Sequence, residues 1–170
     1  YDGVVMGATN DDAVNMQGYI DYVQKVNPER TEVTVGRRPE LFLPGDDIEF
    51  RSKDTDELVL KTKATSIDRN HIGIAERFEA DLDAVVVRYP QYECANWTMR
   101  NCVFYGSYQR IMLKTGPGLF ENNICRGLGS GVKLTTNIMG HEGGKLRDVI
   151  IRDNAFLDCG TSPNFNGILA

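Results

Sequence analysis

A repeat in the second half of the chain constrains the fold more than any other feature of this sequence. Three segments align with one another, residues 99–104, 120–125 and 151–156. The alignment gives two columns of equivalent positions: Phe104, Cys125 and Phe156 in one, and Ile111, Val132 and Ile168 in the other. The first two copies are about 21 residues apart and combine short apolar runs with Asn-rich turns, without helical periodicity. Such a period predicts strands that stack coil upon coil.

Stacked coils explain which residue types repeat. In a parallel β-helix, strands of successive coils pair about 4.8 Å apart, so equivalent side chains lie directly above one another. Inward columns are then apolar, and an Asn in a turn can bond to nearby backbone groups. Asn123 and Asn154 occupy such a turn column, with Cys102 in the preceding copy. Val14 and Met16 align with the inward positions of the later copies, which extends the repeat to the N-terminus.

Residues 19–93, between the N-terminal coil and the later copies, have a different sequence pattern. Short alternating segments are separated by turn signals such as Asn27-Pro28 and Pro44-Gly45. The predicted strands are residues 22–26, 32–35, 47–51, 58–62, 71–75 and 84–88. Several short strands at this spacing are typical of a small antiparallel barrel or sandwich. We therefore expect a β-barrel inserted into one turn of the repeat.

The predicted fold class is all-β: a right-handed parallel β-helix of about four coils with an inserted small antiparallel β-barrel. Residues 1–18 form a coil, residues 19–93 the barrel, and residues 94–170 the remaining coils. Right-handedness follows the general preference of parallel crossover connections. Because both ends of the repeat lie within a coil, and solenoids need capping repeats, we expect a fragment of a longer chain.

Composition excludes several functions. Nineteen Lys and Arg against 24 Asp and Glu give a net charge of −5, which argues against nucleic acid as a partner because phosphate binding needs a basic face. No apolar run approaches the roughly 20 residues of a membrane helix. The four cysteines form no CxxC pair, so the sequence predicts neither a zinc site nor a redox motif, and no metal or cofactor.

The strongest catalytic candidate is the pair Asp11-Asp12. The repeat alignment places it where a strand begins out of a turn, so that two neighbouring carboxylates can share a site. Two carboxylates held together separate their pKa values, which provides the acid and the base of glycoside hydrolysis. A second pair, Asp46-Asp47, follows Pro44-Gly45 and is interpreted as a hairpin turn.

Other polar residues are candidates for substrate binding. Arg110 aligns one coil above the aspartates and could hydrogen-bond sugar hydroxyls; its alternative is an ordinary surface arginine. Asn15 and Lys133 share an outward column, and Tyr108 aligns with Asp11, where its ring could stack on a sugar. Glu142 follows His141 on a predicted insertion; a solvated loop is the alternative to a sugar contact.

Five blocks of the sequence cover nearly the whole chain in order: 10–19, 42–50, 109–115, 120–123 and 142–149. Together they resemble glycoside hydrolase family 110, the exo-acting α-1,3-galactosidases. The resemblance implies a right-handed parallel β-helix with an inserted barrel, an oligosaccharide or polysaccharide substrate, and a secreted or periplasmic protein.

The same resemblance implies a mechanism. Terminal α-1,3-linked galactose would be removed by inversion, with Asp11 as general acid and Asp12 as part of the base. A second base would lie about one coil upstream of the Asp11-Asp12 pair, before Tyr1, so the 170-residue chain alone is expected to be weakly active or inactive.

Two other functions are compatible with the sequence. A non-catalytic carbohydrate-binding or adhesive β-helix would have the fold and the aromatic face without needing the carboxylate pair. A polysaccharide lyase on the same fold would combine a calcium cluster with a basic proton abstractor, and no second acidic cluster lies on the repeat columns.

Overall fold

The computed structural model describes residues 1–136, 140–143 and 146–160. Along them the strands are, in chain order, β1 (Val5–Gly7), β2 (Val14–Met16), β3 (Ile20–Val26), β4 (Glu32–Val35), β5 (Asp47–Ser52), β6 (Leu58–Asp68), β7 (His71–Ile74), β8 (Val85–Arg88), β9 (Trp97–Arg100), β10 (Val103–Tyr105), β11 (Arg110–Leu113), β12 (Gly118–Glu121), β13 (Ile124–Arg126), β14 (Gly131–Leu134), β15 (Val149–Arg152) and β16 (Ala155–Leu157). Short 3₁₀ turns occur at Leu82–Ala84 and Pro90–Tyr92. No helix in this described part of the chain is long and apolar enough to cross a membrane.

The chain divides into two compact units. The described residues of the first are 1–17, 94–136 and 146–160, and those of the second are 18–93 and 140–143. The predicted boundaries at 18/19 and 93/94 lie within one residue of these limits. The segment 140–143, predicted to belong with the coils, clusters with the barrel unit instead.

Three small parallel sheets build the first unit. One has four strands in the order β1-β10-β13-β16, and the other two are β14-β11-β2 and β15-β12-β9. The register predicted from the repeat is confirmed: Phe104 pairs with Cys125 and Cys125 with Phe156. Ile111 likewise pairs with both Val14 and Val132. Ile168, the last member of that column, lies outside the described residues.

The prediction of a right-handed parallel β-helix of about four coils is wrong. Only two stretches of the described chain, residues 97–113 and 118–134, supply one strand to each of the three sheets. The N-terminal stretch contributes β1 and β2 to two of the sheets, and the stretch after residue 148 contributes β15 and β16 to two. The residues of one column need only pair strand to strand within a single sheet. The alignment of the columns therefore did not require four complete coils.

Apolar side chains fill the space enclosed by these sheets. Phe104, Phe120, Met99 and Cys125 are fully buried, and the Phe104 and Phe120 rings stack with centroids 6.0 Å apart. The cysteines carry free thiols. Burial raises the pKa of Cys125 to about 12, as expected for a thiol that packs as a small apolar side chain.

The second unit is a closed antiparallel barrel with the strand order β3-β4-β7-β6-β5-β8. Closure follows because β3 pairs with both β4 and β8. Alternate residues of each strand point inward, which buries Val33 and Val35 on β4 and Ile48 and Phe50 on β5. The predicted barrel is confirmed, and five of its strands lie within two residues of their predicted bounds; β6, predicted to end at residue 62, extends to Asp68.

Candidate functional site

Asp11 and Asp12 lie in the turn that joins β1 to β2, within the first unit. Hydroxyl groups organise this turn: Thr9 Oγ1 and Ser107 Oγ both donate to the Asp11 carbonyl oxygen, at 3.0 and 2.6 Å. The Asp11 carboxylate then accepts the Asp12 backbone N–H at Oδ1, 2.8 Å away. Because its backbone and its carboxylate are both engaged, Asp11 has a defined orientation although its side chain is exposed.

Asp12 has a different environment. Its side chain is 17% exposed, and its Oδ1 lies 3.3 Å from Nε of Arg110, which is 11% exposed. Burial raises the pKa of Asp12; the Arg110 guanidinium opposes this rise, and the Asp11 carboxylate adds to it. Loss of hydration therefore outweighs the ion pair and favours the protonated carboxyl.

Arg110 begins β11 and is itself held in place. Its Nη2 donates to Oε1 of Gln109 at 2.7 Å, and its backbone oxygen accepts the Ala13 N–H at 2.8 Å. The predicted proximity of Arg110 to the aspartates is confirmed. The guanidinium thus lies between an amide and a carboxylate, where it can bind a hydroxyl or a second carboxylate.

The other predicted residues of this unit lie around the same two strands. Asn15 and Lys133 both pair with Met112, from opposite sides, so they share one column across β2, β11 and β14. Tyr108 is 63% exposed, and its N–H donates to the Thr9 oxygen at 3.0 Å. This exposed ring offers an aromatic face for stacking.

Glu142 lies in the other unit. It forms an antiparallel bridge with Tyr19, and the neighbouring Gly143 N–H donates to the Gly18 oxygen at 2.8 Å. Asp46 accepts the Leu43 N–H at 2.8 Å and so closes a turn. The interpretation of the second Asp-Asp pair as a hairpin turn is wrong, because the turn joins β4 to β5, which are not neighbours in the barrel, and Asp47 already belongs to β5.

A buried carboxylate in the barrel unit was missed by the sequence analysis. Asp21 is fully buried and accepts backbone N–H groups of Tyr22, Gly36 and Arg37. Nδ1 of His141 lies 3.2 Å from its Oδ1, and the imidazole stacks on the Tyr22 ring. Burial raises the pKa of Asp21 against these hydrogen bonds. Asp21 directly precedes the predicted strand 22–26, and an acidic residue at that position was the one available signal.

The described residues contain no group of three or more His, Cys, Asp or Glu side chains that could hold a metal ion. Comparison of the chain with protein-family models found no match. A search among curated proteins found no match either.

Proposed function

We propose that this chain carries the catalytic carboxylates of an inverting glycoside hydrolase that removes terminal α-1,3-linked galactose from glycans. The observation that carries the proposal is the pairing of the half-buried, Arg110-bound Asp12 with the exposed, oriented Asp11. The choice of galactose rests on the resemblance to glycoside hydrolase family 110. Inversion needs one carboxyl group that gives a proton to the leaving oxygen and one carboxylate that activates water.

The environments of the two residues support an exchange of the roles implied by that resemblance. Burial raises the pKa of Asp12, the direction that suits a general acid. Asp11 is exposed to solvent and oriented by its bond to the Asp12 N–H, which suits a base that takes a proton from water. Arg110 would bind sugar hydroxyls and stabilise Asp12 once it has given up its proton.

Substrates with different leaving groups test these roles. We expect Asp12→Asn to lower turnover of α-1,3-galactobiose by about 10²–10⁴-fold and to affect a dinitrophenyl α-galactoside much less, because that leaving group needs no proton. Asp11→Asn should slow both substrates by similar factors. If Asp11→Asn instead spares the dinitrophenyl α-galactoside and Asp12→Asn slows both substrates, Asp11 is the general acid.

The stereochemical outcome tests the mechanism. A proton NMR time course at high enzyme concentration should show β-galactose as the first product. Retention of configuration would exclude inversion, and the lack of both turnover and galactoside binding would exclude the proposed function. Binding without turnover would favour the carbohydrate-binding module, and calcium-dependent release of an unsaturated sugar would favour the lyase.

A further inference from the structure

The outward face of the four-stranded sheet carries an unusual set of side chains for a surface exposed to water. Two rows of directly paired residues cross β1, β10, β13 and β16: Val5, Val103, Ile124 and Ala155 in one, and Gly7, Tyr105, Arg126 and Leu157 in the other. Val5, Tyr105, Ile124 and Leu157 are between 43% and 66% exposed. Large apolar side chains that gather on one face, instead of lying scattered, mark a binding surface.

Tyr105 lies flat on this face because Gly7 has no side chain. Cε1 and Cε2 of the ring are 2.5 and 2.6 Å from the position that a Cβ on Gly7 would take, and Cζ is about as close. Because these three adjacent ring atoms are nearly equally distant, the Cβ position lies over the face of the ring, near the line through its centre and perpendicular to its plane. One face of the ring therefore covers the Gly7 backbone, and the other is turned to solvent.

Arg126 stands beside this ring. It pairs directly with Tyr105 on one side and with Leu157 on the other, at strand spacings of about 4.8 Å. Its side chain is exposed, and it has neither an ion pair nor a side-chain hydrogen bond within the described part of the protein. A groove of about 650 Å³ runs along these residues, with Gly106 and Gly127 at one end.

The size of the face limits what it can bind. The backbone of four strands of three residues spans about 14 Å by about 7 Å. This extent matches one or two sugar rings.

The chemistry of the face also matches a sugar. A pyranose ring presents C–H bonds to an aromatic face while its hydroxyl groups project sideways as hydrogen-bond acceptors. The guanidinium beside the ring has five N–H donors in a fixed plane, and aliphatic neighbours exclude water from the contact.

We propose that the row formed by Gly7, Tyr105, Arg126 and Leu157 is a second carbohydrate-binding site, separate from Asp11 and Asp12. A pyranose ring stacks on the free face of Tyr105, and its hydroxyls accept hydrogen bonds from Arg126. The inference rests on the proposed function only for the choice of galactose as probe.

Chemical-shift perturbation of the ¹⁵N-labelled chain by methyl α-galactoside and α-1,3-galactobiose tests the site. The expected shifts centre on β1, β10 and β13. Tyr105→Ala should weaken binding by about tenfold, while Tyr105→Phe keeps the ring and the affinity. Tyr1→Ala, which removes another exposed tyrosine of the same unit (57% exposed), should leave binding unchanged.

Gly7→Ala is the most specific variant. The added Cβ needs the space that the Tyr105 ring occupies, so the ring must move while its chemistry stays intact. We expect weaker binding with an unchanged pattern of amide shifts elsewhere in the free protein, which shows that the variant is folded. Arg126→Gln should weaken binding about fivefold, and Arg77→Gln on the barrel should have no effect.

The outcomes separate this site from the proposed enzyme. Asp12→Asn should lower turnover of α-1,3-galactobiose by about 10²–10⁴-fold and keep the shifts on β10 and β13. If the parent chain shows no turnover but the sugars still shift the amides of β10 and β13, only the proposed function is contradicted. The second site is disproved if the sugars leave these strands unperturbed, if Tyr105→Ala and Gly7→Ala bind as the parent does, or if the same amides broaden with protein concentration alone, which would identify self-association.

Discussion

At the scale of single residues, burial decides what each carboxylate can do. Asp12 and Asp47 are both paired with cations, yet their pKa values move in opposite directions. Burial raises the pKa of Asp12 despite Arg110. Hydrogen bonds from Lys63 and Lys61 lower the pKa of the solvent-accessible Asp47. A cation stabilises the ionised carboxyl fully only where the carboxyl keeps its hydration.

The two residues should therefore change stability with opposite dependence on pH. A raised folded-state pKa means that ionisation of Asp12 costs stability, so Asp12→Asn should gain stability relative to the parent as the pH rises above about 4. Asp47→Asn should lose stability relative to the parent as the pH rises towards about 4 and change little above it, because the lowered pKa of Asp47 completes its ionisation below that pH. Urea unfolding from pH 2 to pH 7 measures both, and parallel trends would contradict the assigned environments.

Asp21 should be essential to the barrel unit. Asp21→Ala removes the acceptor of three backbone N–H groups and the partner of His141. Unsatisfied buried donors cost about 1–3 kcal/mol each and are not additive, so we expect a loss of about 3 kcal/mol in the free energy of unfolding.

Asp68→Ala is the control for Asp21. Asp68 ends β6 and is exposed, so its replacement should change stability by less than about 0.5 kcal/mol. Similar losses for the two variants in chemical denaturation would show that the Asp21 contacts are not specific.

At the scale of elements, a column of asparagines connects consecutive turns of the first unit. Asn123 is buried: its Oδ1 accepts the Cys102 N–H at 2.9 Å, and its Nδ2 donates to the Met99 oxygen at 3.1 Å. Oδ1 of Asn154 in turn accepts the Asn123 N–H at 2.9 Å. Each amide side chain thus replaces a backbone partner that the turn between two strands lacks.

Asn123→Ala should destabilise the first unit by about 2 kcal/mol, because it removes the acceptor of the buried Cys102 N–H and the bond to the Met99 oxygen. Hydrogen exchange of the Cys102 amide should accelerate first. Asn122→Gly is the matched control: Asn122 is exposed with φ 51°, a conformation that glycine adopts readily. Unchanged protection at Cys102 in Asn123→Ala would contradict the assigned hydrogen bond.

At the scale of the whole molecule, the chain builds two separate hydrophobic cores. Phe50 is fully buried in the barrel, where it packs edge-on against Phe78 with centroids 4.8 Å apart. Phe104 is fully buried among the parallel sheets. Each core belongs to one compact unit, the usual property of a domain that can unfold by itself.

Phe50→Ala and Phe104→Ala should therefore act on different parts of the chain. Each should cost about 3–5 kcal/mol in the unit that contains it. Residue-resolved hydrogen exchange should show lost protection within 18–93 for Phe50→Ala and within 1–17 and 94–136 for Phe104→Ala. Equal loss throughout the chain in both variants would mean that the two units unfold as one.

The sequence by itself determined the features that depend on local pattern. Alternation located the barrel strands, and the repeat gave the register that pairs Ile111 with Val14 and Val132. It also placed Asn123 in the turn column and Arg110 beside Asp12. Each of these follows from the period-two geometry of a strand and from the stacking of equivalent positions.

Only the tertiary structure decided the rest. The number of sheets that each stretch joins depends on pairing between residues far apart in the chain, which a local period leaves open. The difference between Asp11 and Asp12 arises from burial and from Arg110, nearly 100 positions away. His141 meets Asp21 across 120 positions, and Gly7 makes room for Tyr105 from another strand. Burial and close approach are properties of the folded chain, because they depend on which distant groups displace water.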